Sequence, residues 1–535
     1  MPQHYIITLL PHGRKLHVKE NRNLMASLVE HAILLRADCG GKGVCGKCTI
    51  TLKQSDNSIR EVKACQTKVD RDLWLTIPPA SMLAPHIVGK PAAVLPPSFT
   101  ESCNTSQAVA VGYGIAVDLG TTTIALYLCT IKTGSVLSCV SVKNPQAIYG
   151  DDVMSRIGEA AKEKDNLSTL HKLAVRAIEW GCRQLSTLSH ILLEDVEQMT
   201  VVGNPTMIHL LLGIQPGTLG VAPYRPMFLD SQCQQARKLG FEQLDMPVHT
   251  LPQISGFLGG DILAAAIAAE LDRQPAGTLL IDIGTNGELI YKGEHGLYAT
   301  SCATGPVFEG ASISCGMQAL PGAIDKVTIA GRTGTPRCRI IGAERIEKDG
   351  LVPGGICGSG IISAAAEMYR AGIIGTTGAL VDDVDIAALQ KDASGAKHYI
   401  LAREDHAGEN RKISIKQKDI RSIQLGKAAL FTGIDFLLKI EGKTLPEKII
   451  IGGAFGSYLD KNDMKDLGLL PNIDDDHIET AGNLAGAGAI MALCRTRYFK
   501  AAQKLAAEIA VIDLATRQEF QKSFVANLHF PALAP

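Results

Sequence analysis

The chain has no charge excess of either sign. Its 53 lysines and arginines stand against 54 aspartates and glutamates, a formal net charge of −1. That balance gives no electrostatic case for nucleic acid. With 46% hydrophobic residues it also excludes a disordered chain. Long apolar runs are missing. The alanine-rich stretch Ile262 to Leu271 is bounded by Asp261 and Asp272 and is too short to span a bilayer. The opening Met-Pro-Gln-His-Tyr-Ile-Ile-Thr-Leu-Leu lacks the basic start and long apolar run of a signal peptide, so a cytoplasmic protein is expected. No Walker A string occurs, and the 14 histidines show neither H-x3-H nor H-E-x2-H spacing. A length of 535 residues implies two to four domains.

Four of the 14 cysteines are organised. Cys39, Cys45 and Cys48 follow a C-x5-C-x2-C pattern, and Cys65 comes after sixteen further residues. A [2Fe–2S] cluster needs four thiolates converging on two irons, three of them from one loop and the fourth from elsewhere. Glycines 40, 41, 43 and 46 let the backbone wrap closely and aim N–H groups at the sulfurs. The first gap is one residue longer than in the plant-type spacing. The alternatives are zinc or disulfides, but zinc usually takes two short C-x2-C pairs and only one is present. The other ten cysteines have no short paired spacing and read as small buried apolar residues in a reducing compartment. Cys302, Cys315 and Cys357 lie in glycine-rich loops, where a role at a site stays open.

The flanks of the cysteine loop carry structure. Residues 4–10 read as a strand, Pro11-His12-Gly13 as a turn, and Lys15 to Val18 as a second strand. Asn23 to Ile33 reads as a short amphipathic helix, and Leu73 to Ile77 as a closing strand. This arrangement resembles the β-grasp ferredoxin fold over residues 1–85. From 83 to 112 the composition turns to prolines among small and polar residues, an extended linker (86–112) on which the cluster domain is expected to move.

Beyond the linker, Gly114-Ile-Ala-Val-Asp118-Leu-Gly120-Thr121-Thr122-Thr123 runs an apolar strand into an acid, a tight turn and hydroxyls. Such a hairpin can cup phosphate oxygens, with Asp118 holding Mg²⁺ through water. The device recurs 164 residues later as Asp282-Ile-Gly284-Thr285-Asn286-Gly287. Two copies suggest two related halves facing each other across a cleft, with Asp118 and Asp282 near the metal and the attacking water. A third loop, Gly452-Gly453-Ala454-Phe455-Gly456-Ser457, follows an apolar strand, and its glycines permit close approach to a nucleotide. A helix is expected over Ile361 to Arg370. Another is expected over Ile423 to Ile440, with Leu425, Ala429, Ile434 and Leu438 on its apolar face. Lys427 reads as part of a solvated face; Glu309 and Asp261 either line the cleft or cap helices.

The three loops resemble the phosphate-1, phosphate-2 and adenosine motifs of the acetate and sugar kinase/Hsp70/actin superfamily. That implies an ATPase domain over 113–500, with two ribonuclease-H-like α/β halves (113–275 and 276–500) and a C-terminal helix and tail at 501–535. The fold class expected is a multidomain α+β and α/β chain: a β-grasp [2Fe–2S] ferredoxin domain plus that two-lobed ATPase. The combination resembles one family in particular, the reductive activators of corrinoid-dependent enzymes. Family-like strings include Asn144-Pro145-Gln146, Gly150 to Arg156, Gly203-Asn204-Pro205-Thr206-Met207, Gly259 to Ile262, Ser301 to Gly310, and Gly355 to Gly360. Longer members carry an extra domain for which the linker here has no room. Methanogen-type members carry a C-terminal cysteine cluster, whereas only Cys494 lies beyond Cys357 here.

The resemblance implies a [2Fe–2S] cluster on Cys39, Cys45, Cys48 and Cys65, and ATP with Mg²⁺. It implies nucleotide contacts at Gly120, Thr121, Thr122, Thr123, Gly284, Thr285, Asn286 and Gly452 to Gly456. Its partners would be a corrinoid methyl-carrier protein and a low-potential electron donor, with a homodimeric state and no membrane or nucleic acid. The implied activity is ATP-dependent electron transfer that returns an inert Co(II) corrinoid to Co(I). A cluster near −400 mV falls short of that couple by roughly 100–200 mV, about 2–5 kcal/mol, which ATP can supply. The competing readings are an activator of a non-corrinoid enzyme, a small-molecule kinase with a redox-sensing appendage, and an ATP-gated sensor or chaperone of corrinoid proteins. No His-led cobalamin-binding string occurs in the chain itself.

Overall fold

The turn Pro11-His12-Gly13 joins strands His4–Leu10 and Arg14–Lys19 into an antiparallel hairpin, with Gly13 in the left-handed region at φ +70°. The computed structural model describes residues 4–31, 33–36, 41, 43, 46–53, 58–82, 92, 94–103, 112–162, 164–310, 313–317, 319–330, 334–343, 352–382, 386–403, 412–453 and 459–533. The hairpin is one edge of a five-stranded sheet ordered Arg14–Lys19, His4–Leu10, Leu73–Thr76, Thr49–Lys53, Ile59–Lys63. Helix Leu24–Glu30 closes a core that includes Ile7, Leu28, Ile50 and Leu75. This is the β-grasp arrangement.

Two larger sheets follow. In the first, Pro247–Thr250 and Val196–Val202 run parallel to Tyr113–Leu119, which pairs antiparallel with Thr123–Thr130 and then Val136–Lys143. In the second, Ile478–Gly482 and Lys448–Gly452 run parallel to Thr278–Ile283, followed antiparallel by Gly287–Lys292 and Leu297–Cys302. The two five-strand patterns are identical in order and direction, which is the ribonuclease-H-like repeat. Asp118 and Asp282 occupy the same place in each, near the end of the central strand.

The described residues fall into two compact units. The first comprises Met1–Pro91, Leu95–Ala264 and Gly486–Ala506; the second comprises Ala92–Val94, Ala265–Ala485 and Ala507–Pro535. Residues 486–506 join the first unit through close backbone packing. A Cβ on Gly488 would sit 1.9 Å from the Ala264 carbonyl, and Gln198 Nε2 donates to Leu493 O at 2.9 Å. The C-terminal strand Ile509–Val511 instead extends the second large sheet beside Leu297–Cys302.

Two local expectations are corrected. The linker is not extended throughout: Pro97–Cys103 is a helix, anchored by buried Phe99, whose ring stands 5.7 Å from that of Tyr498 and under the Arg495 guanidinium. Residues 83–91 and 104–111 of the linker lie outside the described residues. The long helix begins earlier, at Gln417, and runs to Lys439. Leu425 is 52% exposed while Ile434 is buried, because nine positions at ~100° each place them about 180° apart on the helix.

Candidate functional site

Cys48 ends the cysteine loop just before strand Thr49–Lys53, and Cys65 sits in the short turn Ala64–Gln66. The two thiols are buried, with their sulfurs 3.2 Å apart. That is far from the ~2.05 Å of a disulfide, and it suits two ligands converging on one metal centre. Gly43 and Gly41 adopt φ of +73° and +84°. A Cβ on Gly43 would come within 2.8 Å of Gln66 Cγ, so a side chain there would push the Gln66 side chain aside. Lys63 Nζ donates to Gly43 O at 2.6 Å, and Gln66 Nε2 donates to Gly41 O, tying the loop to that turn. Cys39 and Cys45 lie outside the described residues.

In the first large sheet, Asp118 is buried opposite Ala125. The turn that follows is held by its carbonyls. Gly120 O accepts from Asn144 Nδ2 at 3.0 Å, Thr121 O from Arg156 Nη2 at 2.7 Å, and Thr122 O from the Asn144 N–H at 2.8 Å. Carbonyl and N–H point oppositely across a trans peptide, so the N–H groups of Thr121 and Thr122 are turned away from these donors, as a phosphate cradle requires. Asn204 Nδ2 also donates to Thr121 Oγ1 at 2.9 Å.

In the second large sheet, Asp282 lies opposite Glu288 and beside Gly452 of the parallel strand. Gly284 N–H closes the turn on Asn286 O at 2.9 Å. Thr285 donates its hydroxyl to Glu309 Oε1 at 2.9 Å, which places Glu309 at this hairpin. Asp261, by contrast, accepts from the Ile262 N–H at 2.9 Å in the first turn of helix Gly260–Ala268. Gly453, at φ +96°, brings the third loop against the hairpin: a Cβ there would lie 2.7 Å from Asp282 Oδ1 and 2.4 Å from Ile283 O. Its counterpart in the first lobe is Gly203, whose Cβ would lie 2.8 Å from Leu119 O. Ala454, Phe455 and Gly456, with Ser457, lie outside the described residues.

Three residues that the sequence shows only as parts of longer strings prove to brace the Asp118 hairpin. Asn144 and Asn204 each precede a proline and cap the element that follows, accepting from Gln146 N–H and Met207 N–H at 3.0 Å. The Asn-Pro pair is a readable cap signal. That the amide nitrogen then reaches the hairpin is not readable. Nor is Arg156, a fully buried guanidinium.

Other candidates are settled by burial. Cys302 and Cys357 are buried, and desolvation raises both thiols, Cys302 the more, which disfavours the reactive thiolate and fits packing residues. Lys427 is 3% exposed rather than on a solvated face. Burial lowers its amine to about 8, and its Nζ donates to His529 O, holding the C-terminal tail.

Residues 7–70 match a 2Fe-2S iron-sulfur cluster binding domain, 113–274 the RACo middle region, and 276–534 the C-terminal domain of RACo, the ASKHA domain. The chain is 32% identical over 433 residues to the corrinoid activation enzyme RamQ of Eubacterium limosum, covering 78% of this chain and 70% of that one. It is 25% identical over 452 residues to the [Co(II) methylated amine-specific corrinoid protein] reductase of Methanosarcina barkeri, covering 78% and 77%. The solved structure of a reductive activator for corrinoid, iron-sulfur protein matches over 98% of both chains, with a TM-score of 0.73 and 27% identity. No described helix is long and apolar enough to cross a membrane. By these matches the chain belongs to the family of reductive activators of corrinoid proteins.

Proposed function

We propose that this protein is an ATP-dependent reductive activator, passing a low-potential electron to the Co(II) corrinoid of a methyl-carrier protein and so restoring Co(I). The observation that carries the reading is the presence, in one chain, of the buried Cys48–Cys65 thiol pair and two Asp-x-Gly-Thr hairpins on repeated sheets. Both named relatives act on corrinoid proteins, which supports the same partner class here.

Cys39, Cys45, Cys48 and Cys65 would hold the cluster, which supplies electrons one at a time. The bent N–H groups of Thr121 and Thr122, and the turn at Gly284 to Asn286, bind nucleotide phosphate. Asp118 and Asp282 would hold Mg²⁺ and orient the attacking water. ATP must favour the productive complex by at least the redox deficit, because a ligand shifts an equilibrium only by its differential affinity. The physiological assembly is a homodimer served by a low-potential donor protein in the cytoplasm.

The test is a visible spectrum of a Co(II) corrinoid protein from the same organism, mixed anaerobically with this protein and a low-potential reductant, with and without Mg-ATP. The Co(I) band is expected only with ATP. Asp282→Ala is expected to abolish it while leaving the cluster spectrum intact. Co(I) formation by that variant with ATP would remove the clamp assignment; no Co(I) from the wild-type protein with any corrinoid partner, despite measurable ATPase, would remove the function.

A further inference from the structure

One stretch of the first unit, residues 144–156, touches both the Asp118 hairpin and the ferredoxin module. At its hairpin end, Arg156 spends a fixed planar fork on three oxygens: Nη2 on Thr121 O at 2.7 Å, Nη1 on Gln146 Oε1 at 3.3 Å, and Nε on Gly150 O at 2.9 Å. The last two belong to, or directly follow, the turn Pro145–Tyr149. Between those two contacts the turn carries Ile148, which packs on the ferredoxin core. A Cβ added to Gly41 of the cysteine loop would already lie 3.2 Å from Ile148 Cγ2. Gly41 O is in turn held by Gln66 Nε2, which also reaches Cys65 Sγ at 3.8 Å.

The docking around this path is extensive. Lys19 Nζ meets Asp165 Oδ2 at 2.7 Å, Arg22 bonds the Tyr149 hydroxyl, and Val29 and Leu34 enter the core of the adjoining lobe. The ferredoxin module, expected to move on its linker, is here seated on the element that braces the phosphate hairpin.

We propose that Arg156 is a positioning residue that couples nucleotide occupancy of the Asp118 hairpin to the cluster loop, through the 144–150 turn and Ile148. The proposal rests on the reading that this hairpin takes nucleotide phosphate. Phosphate drawing on the Thr121 and Thr122 N–H groups shifts the Thr121 peptide. The planar guanidinium cannot follow it without moving Gln146 and Gly150. A close-packed contact passes such a shift on rather than absorbing it. At the far end it alters Gly41, then Gln66, and then the hydrogen bonding at the Cys65 sulfur, a property to which cluster potential and spectrum respond.

The experiment uses the full-length, cluster-loaded protein, reduced, with its EPR spectrum and midpoint potential recorded with and without Mg-adenylyl imidodiphosphate; nucleotide affinity is measured separately by calorimetry. The wild type is expected to show a nucleotide-induced change in both cluster readouts. Ile148→Ala is expected to bind nucleotide as the wild type does and to lose that change. Arg156→Lys, which keeps the charge but not the fork, is expected to lose it and to bind nucleotide about tenfold more weakly. If nucleotide binds the wild type and the cluster readouts do not move, or if Ile148→Ala retains the full change, the coupling is wrong and the proposed function stands. If nucleotide does not bind at all, both fall.

Discussion

The side-chain amide of Asn23 donates to the carbonyl of Cys65 at 2.8 Å, while its oxygen accepts from Ala26 N–H at 3.1 Å and caps helix Leu24–Glu30. One side chain therefore sets both the helix start and the turn that presents Cys65. Asn144 and Asn204 do the same at the Asp118 hairpin: oxygen to a cap, nitrogen to a functional loop.

Replacing Asn23 separates these duties. Asn23→Asp keeps the cap and loses the donor; Asn23→Ala loses both. Asn23→Ala is expected to lower ferredoxin stability by about 1–2 kcal/mol. Asn23→Asp is expected to stay near wild type in melting but to lose its cluster faster in air. Thermal melts and the decay of visible cluster absorbance read the two effects.

Gly120→Ala places a Cβ 2.6 Å from Thr123 O, a backbone atom that cannot swing aside. The expected outcome is loss of nucleotide binding by calorimetry with unchanged cluster absorbance. Gly453→Ala, strained as well at φ +96°, is expected to do the same from the second unit.

Gly433 of the long helix lies so close to the sheet that a Cβ would stand 2.2 Å from Cys302 Sγ. Gly433→Ala is expected to destabilise the second unit by about 1–3 kcal/mol through overpacking. Adding Cys302→Ala is expected to restore part of that loss, whereas Cys302→Ala alone leaves nucleotide binding intact. Denaturant melts of the three variants form the cycle.

Lys427 predicts a pH dependence. Its folded pKa is lowered to about 8, from an ordinary lysine value of 10.5. Between those values the unfolded chain binds a proton that the folded chain does not, so stability rises with pH across that window. Below about 8 both states are charged and the burial penalty is felt in full. Relative to Lys427→Met, which cannot titrate, the wild type is expected to gain stability from pH 8 to 10.5, by at most about 3 kcal/mol. Paired melts across that range measure it; a constant difference would show that the amine stays charged.

Much of the architecture is legible in the sequence because its signals are local. The Pro11-His12-Gly13 turn, the alternation of the first strands, and the Asp-x-Gly-Thr strings each specify a hairpin within a dozen residues. Helical periodicity misleads over one long element, because spacing alone does not say which stripe will meet a sheet; hence exposed Leu425. Lys427 misleads for a related reason. A lysine defaults to solvent, and only the returning tail, with His529 O and the Phe530 ring, supplies a reason to bury it.

By itself the sequence determined the chemistry on offer: four cysteines at cluster spacing, two acid-ending hairpins and a glycine-rich third loop, each set by residue types within a short stretch. Only the tertiary structure decided what supports that chemistry. It put Arg156 behind Thr121, Asn204 against Thr121 Oγ1, and Ile148 against Gly41. The physical reason is separation: these partners lie 35, 83 and 107 residues apart, and only the packing of strands and turns brings together groups so far along the chain.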